Sequence, residues 1–307
     1  MKEILVFGHK NPDTDSICSS LVQASIDNRT DMPAKAMRLG NINKETKFVL
    51  DYLGMEEPEL LTNLEEGQKV IMVDHNEFGQ SADGIQKAKI LEVIDHHRIS
   101  NFETSEPLFY TTRPYGCTST ILYEEFKRRP SLQKISKEEA ALMLSAIISD
   151  TLLFKSPTCT KYDIRVVEEL ANISGIKDFR TYGMDMLKAG TALDDLSEEE
   201  LINLDAKSLE KNGLKYKIAQ VNTVDIPSVI KRQENIEKQM QTEIKNNGID
   251  LFVFAITDIV NGNSEIIALG QRTDIIEKTC NLVNHRAFLE GVVSRKKQLI
   301  PMIDNNM

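Results

Sequence analysis

Four of the five histidines in the 307-residue chain fall in three short acidic segments, each entered from a run of apolar β-formers. Glu3-Ile4-Leu5-Val6-Phe7-Gly8 leads into His9-Lys10-Asn11-Pro12-Asp13-Thr14-Asp15-Ser16. Lys69-Val70-Ile71-Met72-Val73 leads into Asp74-His75-Asn76, and Ile90-Leu91-Glu92-Val93-Ile94 into Asp95-His96-His97. Packing gives no reason for the same chemistry at the same end of three strands. Carboxylate and imidazole together suit a divalent cation. In an open parallel sheet, ligands bind beyond the carboxyl ends of the strands. Three strand ends are therefore expected to build one metal centre.

His9, Asp13 and Asp15 share one loop, which Pro12 stiffens, and Ser16 is expected to cap the helix that follows. Asp74 and His96 arrive from the next two strand ends. Asp150 follows the apolar stretch Ala140 to Ile148, where a helix leaves the core and a lone carboxylate would be costly unless paired or coordinated. Six ligands are more than one cation needs. They predict a two-metal site with one bridging carboxylate. Two cations about 3.5–4 Å apart clamp the attacking and leaving oxygens of a displacement at phosphorus and lower the pKa of a bridging water. With no thiolate in the set, Mn²⁺ or Co²⁺ is expected ahead of Mg²⁺. Taken singly, Asp13 and Asp15 read as turn residues and His75 as a satisfied buried histidine. Their joint occurrence carries the reading.

The elements that must position these residues alternate strand and helix through the first half, the pattern of a parallel α/β sheet. Strands are expected at 3–7, 34–39, 69–73, 89–94 and 107–112. Ser136 with Glu139 forms a capping box ahead of an apolar helix, and a helix over 160–173 should end at Gly175. The small-residue stretch 189–196 reads as a linker between domains 1–188 and 197–307. Beyond it Ser197 and Glu200 open a further helix, which is taken to carry Lys207. Strands are expected at Tyr216–Thr223, Leu251–Thr257 and Glu265–Gly270, with a helix bearing Val229, Ile236, Met240 and Ile244 and closed by Gly248. A tight Asn261-Gly262-Asn263 turn makes the second sheet mixed.

A net charge of −10 argues against non-specific nucleic-acid binding. No apolar run approaches the ~20 residues of a membrane span. The first strand starts too early for a secretory signal. Cys18, Cys117, Cys159 and Cys280 are scattered without paired spacing, as expected of reduced thiols in a cytoplasmic protein.

The triplet Asp95-His96-His97 resembles the signature of the DHH phosphoesterase superfamily. Together with residues 9–16, Asp74-His75-Asn76-Glu77 and Ser294-Arg295-Lys296-Lys297-Gln298, it resembles the family II, manganese-dependent inorganic pyrophosphatases. The resemblance runs from residue 4 to about residue 300. It implies a parallel-sheet DHH domain and a smaller DHHA2-type α/β domain with a mixed sheet, the active site lying in the cleft between them. It implies His9, Asp13, Asp74 and Asp150 for one metal and Asp15, Asp74, His96 and Asp150 for the other. His97 would contact phosphate or protonate the leaving group, and Asp95 and His75 would orient the ligands. The implied reaction is hydrolysis of pyrophosphate to two orthophosphates by a metal-bridging hydroxide. A further Mg²⁺ or Mn²⁺ would enter with the substrate. A cytoplasmic homodimer through the first domain is also implied. Only 20 residues separate Asp74 from Asp95, so no regulatory CBS insert fits there.

Pyrophosphate needs cations beyond two metals. Arg295 and Lys296 supply a fork and a point charge side by side, and Lys207 matches a lysine the family sets against phosphate. The alternatives are a short-chain polyphosphatase, a phosphodiesterase, or a metal- or phosphate-sensing protein without turnover. Nucleases of the superfamily carry a glycine-rich motif in the second domain; its absence from this sequence and the acidic charge count against the phosphodiesterase. The intact set Asp74, His96, His97 and Asp150 counts against the sensor.

Overall fold

The computed structural model describes residues 3–30, 32–128 and 134–307. The chain divides into two compact units, Met1–Gly190 and Thr191–Met307.

The first unit is built on six strands: β1 (Ile4–Phe7), β2 (Ala34–Arg38), β3 (Glu59–Leu60), β4 (Lys69–Val73), β5 (Lys89–Asp95) and β6 (Phe109–Thr112). They lie in the order β3-β2-β1-β4-β5-β6, every pairing parallel. The order reverses between β1 and β4, the place where open sheets receive ligands. Val70, Ile71, Met72 and Val73 are all buried, because helices cover both faces of a parallel sheet. The short edge strand β3 has no apolar run and was not expected.

Six helices complete the unit: α1 (Thr14–Asp27), α2 (Lys44–Leu53), α3 (Thr118–Arg128), α4 (Lys137–Asp150), α5 (Lys161–Ser174) and α6 (Phe179–Gly190). The expected capping box opens α4: Glu139 N–H donates to Ser136 Oγ, and Ser136 N–H donates to the Glu139 carboxylate. From Glu139 to Ile148 every residue of α4 is buried. A helix apolar on all sides is a core helix. Truncating Met143 or Leu144 would cost about 2–5 kcal/mol. As expected, α5 ends at Gly175, in the left-handed region at φ 85°.

The second unit holds β7 (Ala206–Lys211), β8 (Leu214–Thr223), β9 (Leu251–Asp258), β10 (Asn263–Gly270) and β11 (Arg286–Leu289), in the order β11-β10-β9-β8-β7. Only β8 and β9 pair in parallel, so the sheet is mixed. Central β9 feeds two apolar layers. Phe252, Phe254 and Ile256 face one; Leu251, Val253 and Ala255 face the other.

The helices here are α7 (Glu198–Leu201), α8 (Ile226–Ile230), α9 (Gln233–Asn247), α10 (Asp274–Glu277) and α11 (Ile300–Asp304), with a π-helical turn at Arg295–Leu299. Two expectations are corrected. The helix opened by Ser197 stops at Leu201, so Lys207 stands on β7. Val229 lies on the separate helix α8, while Ile236, Met240 and Ile244 lie on α9. Among the described residues no helix is long and apolar enough to cross a membrane.

Candidate metal centre

The six carboxylates and imidazoles singled out in the sequence gather at one end of the first sheet. After β1 the chain passes through Gly8 to His9, and Asn11 turns it at φ 54°. Here the structure corrects the capping assignment. Asp13 caps α1, its side chain accepting from Ser16 N–H at 3.0 Å. Ser16 Oγ is thereby free for the site and donates to Asp74 Oδ2 at 2.9 Å. A Cβ on Gly8 would stand 2.5 Å from Ser16 Oγ, so only glycine allows this approach.

Asp74 follows β4 with φ 61°, a left-handed conformation costly for a non-glycine residue. Its two oxygens face opposite ways. Oδ2 lies 3.5 Å from His9 Nε2, and Oδ1 lies 3.5 Å from His96 Nε2. His9 Nε2 is also 3.4 Å from Asp13, and His96 Nε2 is 3.6 Å from Asp150 at the end of α4. Each imidazole is held at its other nitrogen by a backbone carbonyl: His9 Nδ1 by Lys10 at 2.8 Å, His96 Nδ1 by Tyr115 at 3.0 Å. That leaves both Nε2 atoms turned inward, the arrangement seen for metal-binding histidines.

Two convergent sets share Asp74: His9, Asp13 and Asp74, and Asp15, Asp74, His96 and Asp150. Asp150 therefore joins one set, where the resemblance implied both. A third grouping of Asp74, His96 and His97 overlaps the second.

Hydroxyls fix the carboxylates, and the sequence reading missed them. Thr118 Oγ1 donates to Asp74 Oδ1 at 3.1 Å. Asp15, wholly buried, accepts from Thr118 N–H at 2.7 Å, Ser119 N–H at 3.2 Å, Ser119 Oγ at 3.1 Å and Ser19 Oγ at 2.7 Å. It thus sits at the amino end of α3, where unpaired N–H groups favour an anion. Only Ser19, one helical turn beyond Asp15, has a spacing that could have betrayed it.

His97 is half exposed and is steered by Asp95, whose Oδ1 lies 3.0 Å from its Nδ1. This bond, with Asp74 beyond it, outweighs burial and raises the His97 pKa. Asp95 is in turn fixed by the Asn76 amide at 2.6 Å. Asn76 takes the orienting part expected of His75. The His75 ring lies against Phe7 and reaches only the Val73 carbonyl, at 2.9 Å. Burial lowers its pKa to about 4, so it is neutral.

The electrostatics fit cations. Burial, then the charges of Asp15 and Asp13, pushes Asp74 up to about 7. Burial, Asp15 and Asp74 hold Asp150 well above the carboxylate range. Burial acts to lower the two inward imidazoles, yet the facing carboxylates raise both to about 9. The four crowded carboxylates favour positive charge among them, and mixed oxygen and imidazole donors suit a divalent cation such as Mn²⁺.

The basic residues lie in the second unit. Asp205 holds Arg295, its Oδ1 2.8 Å from Nη2. Gln220 grips the backbone on both sides of Ser294: Oε1 accepts from Arg295 N–H at 2.9 Å, and Nε2 donates to the Val293 carbonyl at 3.0 Å. Lys207 and Lys296 are exposed.

Comparison with known proteins agrees with both units. The DHH family N-terminal domain matches residues 3–147 and the DHHA2 domain matches residues 184–306. A Brevibacillus brevis protein is 51% identical over 99% of this chain and 98% of its own length, and one from Bacillus pumilus is 52% identical over the same shares. Both are described as manganese-dependent inorganic pyrophosphatases. The crystal structure of a Methanococcus jannaschii protein, described as a family II inorganic pyrophosphatase, is 41% identical. It superposes with a TM-score of 0.63 over 98% of each chain. The chain belongs to the family II, manganese-dependent inorganic pyrophosphatases of the DHH superfamily.

Proposed function

We propose that the protein hydrolyses inorganic pyrophosphate to two orthophosphates at a centre of two divalent cations held by His9, Asp13, Asp15, Asp74, His96 and Asp150. One observation carries the reading: the two oxygens of Asp74 face two imidazoles from different strand ends, each backed by further carboxylates. Asp74 would be the shared ligand, and cations held there would neutralise phosphate charge and lower the pKa of a bound water toward neutrality.

The protein's own groups do the rest. Asp15 and Asp74 are fixed by hydroxyls and helix N–H groups, so the ligands need little reorganisation. His97, oriented through Nδ1 by Asp95, presents its exposed edge to phosphate and gives the leaving group its proton. Arg295, Lys296 and Lys207 bind the phosphoryl oxygens. Arg295 exchanges the Asp205 carboxylate for one of phosphate's oxygen pairs, which its planar fork matches. The site takes Mn²⁺ or Co²⁺, with a further Mg²⁺ or Mn²⁺ entering on the substrate. Family resemblance supports a homodimer through the first unit, and the four free thiols support a cytoplasmic setting.

The test is phosphate release from pyrophosphate and from tripolyphosphate by protein stripped with a chelator and reloaded with Mn²⁺. Mn²⁺-dependent cleavage of pyrophosphate, with tripolyphosphate much slower, is expected. Activity unaffected by complete metal removal, or faster on tripolyphosphate, would refute the assignment.

A further inference from the structure

Glu45, near the start of α2, is a half-buried carboxylate with no place in the mechanism above. One of its oxygens, Oε1, accepts from two hydroxyls: Thr14 Oγ1 at 2.9 Å and Ser149 Oγ. Thr14 stands between Asp13 and Asp15. Ser149 immediately precedes Asp150. Thr14 is further held by the hydroxyl of Thr46, one residue beyond Glu45, at 3.2 Å. A single oxygen therefore ties together two ligand-bearing segments that are 135 positions apart in the chain. Glu45 itself is in neither convergent ligand set.

The space for this carboxylate depends on Gly190, the last residue of α6 and of the first unit. A Cβ there would lie 2.8 Å from Glu45 Cβ and 2.9 Å from Oε2. Even an alanine at 190 would push Glu45 away from Thr14 and Ser149.

We propose that Glu45 is a positioning residue that locks the Asp13–Asp15 segment against the end of α4, and that Gly190 keeps open the room it needs. The inference rests on the metal-site reading. It assigns the spacing of Asp15 and Asp150, both in the set completed by His96, to a group that touches no cation. Partly burying this carboxylate is worthwhile because its hydrogen bonds fix the start of α1 and the end of α4 at once. Its position, more than its charge, is what the site uses. Glutamine keeps an acceptor at Oε1 and should preserve the lock, whereas alanine removes it.

The experiment is Mn²⁺ titration calorimetry on wild type, E45Q, E45A and G190A. Melting curves report folding, and low-temperature EPR of the Mn²⁺-loaded proteins reports the coupling of two ions through one carboxylate. Wild type is expected to bind two ions. E45Q should match it within about threefold, while E45A and G190A should each weaken one of the two sites about 10- to 100-fold and diminish the coupled EPR signal. E45A/G190A should be no worse than E45A alone, since both changes remove the same lock. Wild-type affinities in E45A would overturn the proposal. So would a loss in E45Q equal to that in E45A, which would assign the effect to charge. A wild type that binds no second Mn²⁺ would refute the underlying two-cation reading instead.

Discussion

The Asn76 amide donates to the Asp95 carboxylate at 2.6 Å and to the Arg98 carbonyl at 2.9 Å, while its own carbonyl oxygen accepts from Ser100 N–H at 2.9 Å. One side chain after β4 thus organises the whole segment after β5. Asn76→Ala would leave buried Asp95 short of a donor, at a cost of about 1–3 kcal/mol. Asn76→Asp would add a like charge and do worse. We expect Tm to fall by about 3–10 °C in the alanine variant. The rate should fall at least about tenfold through loss of His97 alignment. Melting and steady-state kinetics check this. Unchanged kcat in Asn76→Asp would show that His97 needs no such support.

Asp74 is expected to trade stability for function. Its carboxylate is buried and crowded by those of Asp13, Asp15 and Asp150. Asp74→Asn should raise the Tm of the metal-free protein at pH 8 and lower activity by about 10³-fold or more, since the shared ligand is lost. A variant that keeps a tenth of the wild-type rate at saturating Mn²⁺ would remove Asp74 from the shared position.

Metal binding should be visible as stability. A ligand held only by the folded state stabilises it by about 4 kcal/mol at a thousand times its dissociation constant. Mn²⁺ added to chelator-treated wild type should raise Tm by several degrees, and Asp74→Asn should lose most of that rise. An equal rise in both proteins would mean that the ion binds elsewhere.

Arg295→Ala removes no ligand of the first unit, so Mn²⁺ affinity should stay within about twofold of wild type. A charge-assisted phosphate contact in a desolvated site is worth about 2–4 kcal/mol, or roughly 30- to 1000-fold in kcat/KM. Arg295→Lys should recover only part, because an ammonium has no planar fork. Weakened Mn²⁺ binding with unchanged KM would give Arg295 a structural role.

Gln220 offers a milder version of the same test. Its amide spans the backbone from Val293 to Arg295. Gln220→Ala should loosen that segment and raise KM about three- to tenfold, with kcat less affected. A lower Mn²⁺ affinity in this variant would contradict the division of labour between the two units.

What the sequence discloses follows from physical range. Strand ends, buried runs such as Val70–Val73 and the capping boxes at Ser136 and Ser197 are local signals, and the structure has them where expected. Five of the six metal-ligand candidates could be picked out because carboxylates and imidazoles cluster after three strands, and Asp150 because it closes a buried apolar helix. Lys207 misled because Ala206–Lys211 has no β-branched or aromatic residue and reads as helix. Pairing with β8 overrides that composition. The Asn212-Gly213 turn between them, with φ 52° and 75°, was the local clue to a hairpin. Ser16, Thr118 and Ser119 were beyond reach, since their contacts span 58, 44 and 104 positions and nothing in a lone hydroxyl announces its partner.

The spread of the candidate ligands along the chain bears on biosynthesis. His9, Asp13 and Asp15 leave the ribosome first, Asp74 and His96 follow, and Asp150 emerges only when half the protein has been made. A growing chain therefore offers an incomplete second set, which cannot close before the end of α4 brings in Asp150. A cation in that set would therefore bind only to a folded first unit, and its identity would depend on the ions free at that moment as well as on the side chains.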